Sequence, residues 1–303
     1  MKRALIATLF NEADNVSRWW ESIARQTVLP DEIVIVDGGS KDGTWEKLQA
    51  LAGLSPVPVR LKQQRCNIAE GRNLAIAMTD AEIIASSDAG SFVDPHWFGE
   101  ITRPLLENPA IDIVGGKSVP LAENDFQKFV AGFDSAPGPT TGKLVQASGR
   151  NTAYRRTTWA DVGGYPEWLT LTAEDALFNF QLEKAGKQFF YQPSALVSWL
   201  VRENPAAYFK MLYSYGYGAA EARLDSAYFL RRATIAVLPP LLFFSSYRFN
   251  FLEFRYRKCF SSATGWLAGF LNGQRAPVGW KRTEGVLMSP QAQNCLARGT
   301  RSA

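Results

Sequence analysis

The sequence predicts an α/β protein: a mostly parallel sheet with helices on both faces, followed by a C-terminal helical segment. Three observations predict it. Short apolar runs alternate with stretches of helical periodicity over the first two hundred or so residues, and this β-α-β order places parallel strands in a sheet covered on both sides. The run Ile33-Val34-Ile35-Val36 is apolar at every position, as in a strand buried on both faces. From Pro205 onward the chain becomes aromatic, basic and mostly helical in pattern.

The elements follow in order. Residues 4–9 read as a first strand. Asn11 or Asn15 can then cap a helix whose apolar face is Val16, Trp19 or Trp20, and Ile23. Residues 32–36 form the second strand, which stops at Asp37-Gly38-Gly39. Ser40 or Thr44 caps the next helix, with Trp45, Leu48 and Leu51 on one face. Val57–Leu61 is a third strand, Ile68–Met78 a helix and Glu82–Ala85 a strand. Asp94-Pro95 is a cap with proline at the first helical position, opening a helix to about Leu106. Ile111–Val114 reads as a strand, and Ser135–Gly142 as a loop by its turn residues. Asn151–Arg155 is a strand, Glu174–Ala185 a helix ended by Gly186, and Gln188–Tyr191 a last strand. The expected organisation is an α/β domain over residues 1–204, a helical basic–aromatic segment over 205–281 and a loose polar tail over 282–303.

The bulk numbers narrow the function. A hydrophobic content of 46% over 303 residues supports a sizeable core and excludes a disordered chain. A net charge of +4 is too mild to argue for a nucleic-acid partner. The basic residues concentrate from Ser226 to Arg275, where Glu253 is the only acid. That segment suits the anionic surface of a membrane. The apolar stretch Ala233–Phe244, interrupted by Pro239-Pro240, is too short to span a bilayer, which takes about 20 residues. Cys66, Cys259 and Cys295 show no metal or disulfide spacing, which suits a reduced, cytoplasmic setting. The basic-then-apolar N-terminus ends too early, at Asn11 and Glu12, for a signal peptide. His96 is the single histidine; it reads as a surface residue, and Ser-His-Asp or Cys-His chemistry is disfavoured.

The residues with chemistry are acids placed at strand ends or loop–helix junctions: Asp37, Asp88 in Ser86-Ser87-Asp88-Ala89-Gly90, and the pair Glu174-Asp175. Open α/β sheets bind ligands beyond the carboxyl ends of their strands. Each acid also has a plain reading, since Asp-Gly makes turns and acids favour helix starts. Their order, together with Thr8-Leu-Phe-Asn11-Glu12, Asn67-Ile-Ala-Glu-Gly71-Arg72-Asn73 and Gly163-Gly164-Tyr165-Pro166-Glu167, resembles family 2 glycosyltransferases of the GT-A fold over residues 4–200.

The resemblance implies an inverting, non-processive transfer of one sugar from a nucleotide-sugar donor, usually a UDP-sugar, to a hydroxyl of a glycan or lipid-linked acceptor. It implies a donor site made of Thr8, Phe10, Glu12, Asp37, Gly39, Arg72, Asp88 and Ala89. Asp37 would meet the base, and Asp88 a divalent metal, Mg2+ or Mn2+. Asp175, beside Glu174, would be the general base. The chain departs from the family at Gly90, which stands at the second acid of the DxD motif; Arg72 or Arg150 could supplement the positive charge there. Trp199 and Arg202 fall at the site's rim, and the processive Gln-x-x-Arg-Trp signature is missing. Two other readings remain. A sugar-phosphate nucleotidyltransferase opens with a glycine-rich loop after its first strand, where this chain has Leu9-Phe10-Asn11-Glu12. A catalytically inactive sugar-nucleotide-binding or scaffolding subunit at the membrane would explain Gly90, but not the intact Asp175.

Overall fold

The computed structural model describes residues 1–133, 147–224, 226–236, 251–283 and 286–299. Eight strands form one sheet: β1 (Arg3–Leu9), β2 (Glu32–Asp37), β3 (Val59–Gln63), β4 (Ile83–Ser86), β5 (Ser91–Val93), β6 (Ile113–Leu121), β7 (Thr152–Arg155) and β8 (Phe189–Leu200), in the order β3-β2-β1-β4-β7-β6-β8-β5. The first half is parallel throughout, with β2 and β4 flanking β1 and β3 beyond β2. β7 and β5 run antiparallel to their neighbours, while β6 and β8 pair in parallel. The sheet is therefore mostly parallel, as expected, with two reversed strands that the periodicity did not distinguish.

Strand alternation explains the unbroken apolar runs. Ala4, Ile6, Val34 and Val36 face one side, against α3 (Ile68–Ala77) and α7 (Glu174–Lys184). Leu5, Ala7, Ile33 and Ile35 face the other, against α1 (Val16–Ala24), α2 (Thr44–Ala52) and α4 (Trp97–Glu107). Both faces of β2 are thus core, and burying a Val or Ile side chain there contributes roughly 1.5–3 kcal/mol. Trp19 and Trp97 are fully buried on the second face. Each indole N–H has a partner, Ser87 Oγ at 3.0 Å and Asn151 Oδ1 at 2.8 Å respectively, as buried tryptophans require.

Several local expectations need correction. Asn15 occupies the cap position of α1 without a capping hydrogen bond: its backbone is helical, φ -106° and ψ -23°, where a capping residue is normally extended, and its Nδ2 donates to Glu12 Oε2. Neither Ser40 nor Thr44 caps α2; Asp42 Oδ1 accepts from Thr44 N at 3.0 Å. Pro95 lies in the turn before α4, which starts at Trp97. β6 and β8 are far longer than expected because they pair with each other along nine register positions, Ile113–Leu121 against Phe189–Leu200.

Beyond the sheet come α5 (Asp125–Phe133), α6 (Arg156–Asp161), α8 (Pro205–Glu221), α9 (Ser226–Ala236) and α10 (Phe251–Asn272). Then follow β9 (Lys281–Thr283), β10 (Val286–Met288) and α11 (Pro290–Gly299). α8 and α5 share a separate cluster of Phe126, Val130, Tyr208, Leu212 and Phe254. The segment after Arg282 is not loose over its described residues. Val286, Leu287, Met288 and Ala292 are buried in the core beside α7, and Ser289 N donates to Gln181 Oε1 at 2.8 Å. Its polar composition hid a short apolar strand that closes one face of the sheet. The expected loop over Ser135–Gly142 and residues 237–244 of the apolar stretch lie outside the described residues. Among the described residues no helix is long and apolar enough to cross a membrane.

Candidate functional site

β2, β1 and β4 are neighbours, so the loops after them converge at one edge of the sheet. Asp37 ends β2 and is fully buried. Its Oδ1 accepts from Gly39 N at 2.8 Å and Ser40 N at 2.7 Å, while its Oδ2 has no hydrogen-bond partner among the described residues. A buried carboxylate oxygen without a donor is costly. Gly39 makes the turn possible with φ at 91°. Thr8 Oγ1, on β1, is a second buried polar atom without a partner among the described residues. Glu12 N donates to Thr44 Oγ1 at 2.8 Å, which fixes the loop after β1. Burial lifts the Glu12 carboxyl above its ordinary range against the opposing hydrogen bond from Asn15.

Asp88 follows β4. Its Oδ1 meets Arg72 Nη2 at 3.1 Å, and Arg72 Nη1 reaches Glu174 Oε1 at 2.6 Å. Arg72 is 3% exposed. Its guanidinium lies so close over Gly149 that a Cβ there would come within 2.2 Å of Nη2, so only glycine fits. This buried cation joins the loop after β4 to the start of α7. Asp175 sits next to Glu174 in the first turn of α7, where the helix dipole favours a negative charge. Its Oδ2 accepts from Gly149 N at 3.1 Å and its Oδ1 from Ala176 N at 2.8 Å. Burial, and then the Asp175 charge, push Glu174 up to about 7 against the pull of Arg72.

The approach to α7 is held from two sides. α3 holds the preceding loop: Asn73 Oδ1 accepts from Tyr165 N and Trp159 Nε1, both at 2.9 Å, and Asn67 Nδ2 donates to Glu167 O at 2.7 Å. α8 holds the last residues before the helix: Glu221 accepts from Thr170 N at 2.9 Å, Thr170 Oγ1 at 2.6 Å and Gln274 N at 2.8 Å. Between these anchors Ala173 adopts a left-handed conformation, φ 76°, which costs an L-residue roughly 1–2 kcal/mol.

A cleft of about 1070 Å3 opens onto this junction, lined by Arg72, Asp88, Glu174 and Asp175 from the sheet side and by residues of α8, α9 and α10 from the other. Arg150, Trp199 and Arg202 also line it, with the Arg150 guanidinium 5.3 Å from the Trp199 ring centroid. Thr8, Phe10, Glu12, Asp37, Gly39 and Ala89 do not. Phe10 is 60% exposed, Ala89 is packed in the core, and His96 is an exposed helix-start residue. Sequence reasoning missed Gly149 and Glu221, because no local pattern marks a residue whose partner, Arg72 or Thr170, lies fifty or more positions away.

The metal expectation can be tested on the same geometry. No group of three or more His, Cys, Asp or Glu side chains that could hold a metal occurs among the described residues. Asp88 is the one carboxylate at the strand end, and one of its oxygens is taken by Arg72. A Cβ built on Gly90 would meet no atom within 4 Å, so packing does not forbid a second acid there. The residues present fit a divalent ion that has one protein carboxylate oxygen, with phosphate oxygens and water as its remaining ligands.

Comparisons with known proteins agree with this architecture. The model of "Glycosyl transferase family 2" matches residues 5–160, and that of "Glycosyl transferase family group 2" matches residues 83–272. The O-antigen chain rhamnosyltransferase RfbN of Salmonella typhimurium is 27% identical over 239 residues, 71% of this chain and 72% of that protein. The succinoglycan biosynthesis protein ExoA of Rhizobium meliloti is 26% identical over 72% of this chain and 68% of its own length. Among solved structures, the mannosyltransferase PcManGT from Pyrobaculum calidifontis, in complex with GDP-Man and Mn2+, superposes with a TM-score of 0.59 at 17% identity, covering 100% of this chain and 76% of that one. S. aureus TarS 1–349 in complex with UDP gives 0.54 at 16% identity, over 95% and 96%. The chain therefore belongs to glycosyl transferase family 2, and it is a glycosyltransferase with the GT-A fold.

Proposed function

We propose that this glycosyltransferase moves one sugar from a UDP-sugar to a hydroxyl of a growing glycan, with inversion at the anomeric carbon and Asp175 as general base. The observation that carries the reading is the placement of Asp175 at the start of α7, on the same cleft as Asp88 at the end of β4. The unpartnered Asp37 Oδ2 supports the donor half, because a carboxylate oxygen suits the imide N–H of uracil. The relatives named for O-antigen and succinoglycan biosynthesis, and the TarS complex with UDP, lend the substrate classes.

In this reading the acceptor hydroxyl gives its proton to an Asp175 carboxylate oxygen as its own oxygen attacks the anomeric carbon. The bond between that carbon and the distal phosphate oxygen breaks on the opposite side, and UDP departs with the electron pair. The Gly149 N–H holds the carboxylate in place, and Arg72 fixes the neighbouring Glu174. A Mg2+ or Mn2+ ion on Asp88 would supply charge neutralisation for the leaving diphosphate. The enzyme would work at the cytoplasmic face of a membrane, which the basic helices of the C-terminal segment suit.

The test is Asp175→Asn. Transfer should fall by about 10²–10⁴-fold while UDP affinity stays that of the wild type. Turnover near the wild-type rate would sink the base assignment. Gly90 keeps a second reading in play, an inactive donor-binding subunit. Binding of UDP-sugar by the wild type, with neither hydrolysis nor transfer in the presence of Mn2+, would favour it.

A further inference from the structure

α8 runs along the segment that leads into α7. Ser214, Gly218 and Glu221 stand at i, i+4 and i+7, on one face of the helix, and all three meet residues 170–172. Thr172 Oγ1 donates to Ser214 O at 2.8 Å. A Cβ at Gly218 would fall 2.3 Å from Thr172 O, so the helix backbone lies directly on the segment. Glu221 closes the contact: Oε2 accepts from Thr170 N, and Oε1 from both Thr170 Oγ1 and Gln274 N. Gly273, just beyond α10, shuts the joint from behind, since a Cβ there would come within 2.6 Å of Glu221 Cγ.

This is an unfavourable place for a carboxylate. Glu221 is 4% exposed, and its three donors are neutral, two backbone amides and a hydroxyl. It is also the last residue of α8, where the helix dipole opposes a negative charge. As a cap on the turn after α10 it would need the Gln274 bond alone, yet two of its three bonds go to Thr170. Three residues on, Ala173 stands at the cap position of α7 with φ 76° and ψ 9° and no side-chain cap. An L-residue keeps that conformation only where its surroundings over-determine it, and such strain collects at functional sites. On the helix side the hold is the first helical bond, Leu177 N to Ala173 O at 2.9 Å. On the loop side it is α8. Asp175 follows two residues later, with its Oδ2 3.1 Å from Gly149 N.

Resting on the assignment of Asp175 as general base, we infer that Glu221 is a positioning residue for the transfer. Its carboxylate clamps Thr170 to α8, the clamp keeps Ala173 left-handed, and Ala173 sets the direction in which the first turn of α7 carries Asp175 into the cleft. Once the clamp is released, Ala173 relaxes to negative φ, the first turn of α7 rotates and the Asp175 carboxylate leaves Gly149.

Glu221→Gln tests this with almost no change of shape, because in either orientation its amide NH2 faces a backbone N–H, that of Thr170 or of Gln274. Turnover would be read as UDP release from UDP-glucose, UDP-galactose and UDP-N-acetylglucosamine. It should fall by about 10²-fold, the scale of a small misplacement of a catalytic group, while UDP affinity by calorimetry stays that of the wild type. Amide exchange read by NMR needs no turnover. The Gly149 N–H should exchange at least about tenfold faster in the variant, while Ile35 in the middle of β2 keeps its protection and shows that the sheet is intact. Glycine takes the left-handed turn without strain, so adding Ala173→Gly to Glu221→Gln should recover about tenfold of the lost turnover and restore the Gly149 protection. A purely structural joint would not be rescued at Ala173.

The inference is overturned if Gly149 exchange is unchanged in Glu221→Gln, if exchange rises while turnover stays at the wild-type rate, or if Ala173→Gly restores neither. It is overturned equally if UDP affinity falls or Ile35 loses protection, which makes Glu221 a support of the whole fold. A wild type that releases no UDP, yet shows the exchange shift and its rescue, would break the transferase mechanism and leave the clamp standing. Turnover lost in Asp175→Asn but untouched in Glu221→Gln would break the clamp alone.

Discussion

The two sides of the cleft are built by different means. On the proposed donor side Asp88, just beyond β4, lines the cleft, and Thr8 of β1 and Asp37 of β2 stand on the neighbouring strands outside its lining. The ladder β2-β1-β4 sets their spacing, and one turn of chain places each. On the other side of the cleft the groups come from α7, α8, α9 and α10, and long-range side-chain contacts set their spacing. Glu221 clamps Thr170, 51 positions away, and Arg72 reaches Glu174 across 102. A sheet places side chains by register and needs few exact partners. A helical wall has no register with the sheet, so individual hydrogen bonds and ion pairs must hold it.

The strongest way to break this contrast is to cut the link between the two sides. Arg72→Met keeps the length of the side chain and removes its charge, leaving Glu174 and Asp88 without their shared partner. Stability should fall by about 3 kcal/mol, the scale for breaking a buried ion pair, and transfer should be lost with it. Urea unfolding would measure the first effect; a change under about 1 kcal/mol would show that the two sides are independent.

A milder probe uses pH. Glu174 is lifted from 4.5 to about 7 by burial and by Asp175, so the folded state holds a proton that the unfolded state releases. The stabilisation is fully present below pH 4.5 and lost as pH rises through about 7, on the order of 1–3 kcal/mol. Unfolding followed across that window should show stability falling with pH, and Glu174→Gln should flatten this slope. An unchanged slope in the variant would assign the titration to another group.

The smallest expected effect sharpens the donor side. Gly90→Asp projects a carboxylate into open space without requiring an unusual backbone angle. It should leave the melting temperature unchanged and tighten Mn2+ binding in the presence of UDP by about tenfold, the worth of roughly 1.4 kcal/mol. Calorimetric titration would read this; unchanged metal affinity would mean that Asp88 does not face the ion.

How much of this was legible in the sequence follows the same contrast. Ile33–Val36 announces a doubly buried strand because both of its faces are apolar, whereas Asp37 beyond it, expected at a ligand site, stands outside the lining of the cleft. The apolar faces of α1 and α2 were readable from spacing alone. What was not readable depends on distance. Nothing near Gly149 says that a guanidinium must lie on it, and nothing near Val286 says that it completes a core begun at Ala4. β6 and β8 were underestimated because a strand's length is set by its partner, and neither contains a pattern that names the other.

The empty space beside Gly90 has a consequence for how this enzyme could change. Glycine and aspartate codons can differ by a single base. A Cβ at this position meets no atom within 4 Å, so packing at the backbone does not demand that a second substitution come first. A lineage carrying this fold could therefore gain or shed half of its metal motif in one mutational step. The choice of one acid over two would then be set by selection on the leaving group's chemistry, with packing leaving both open.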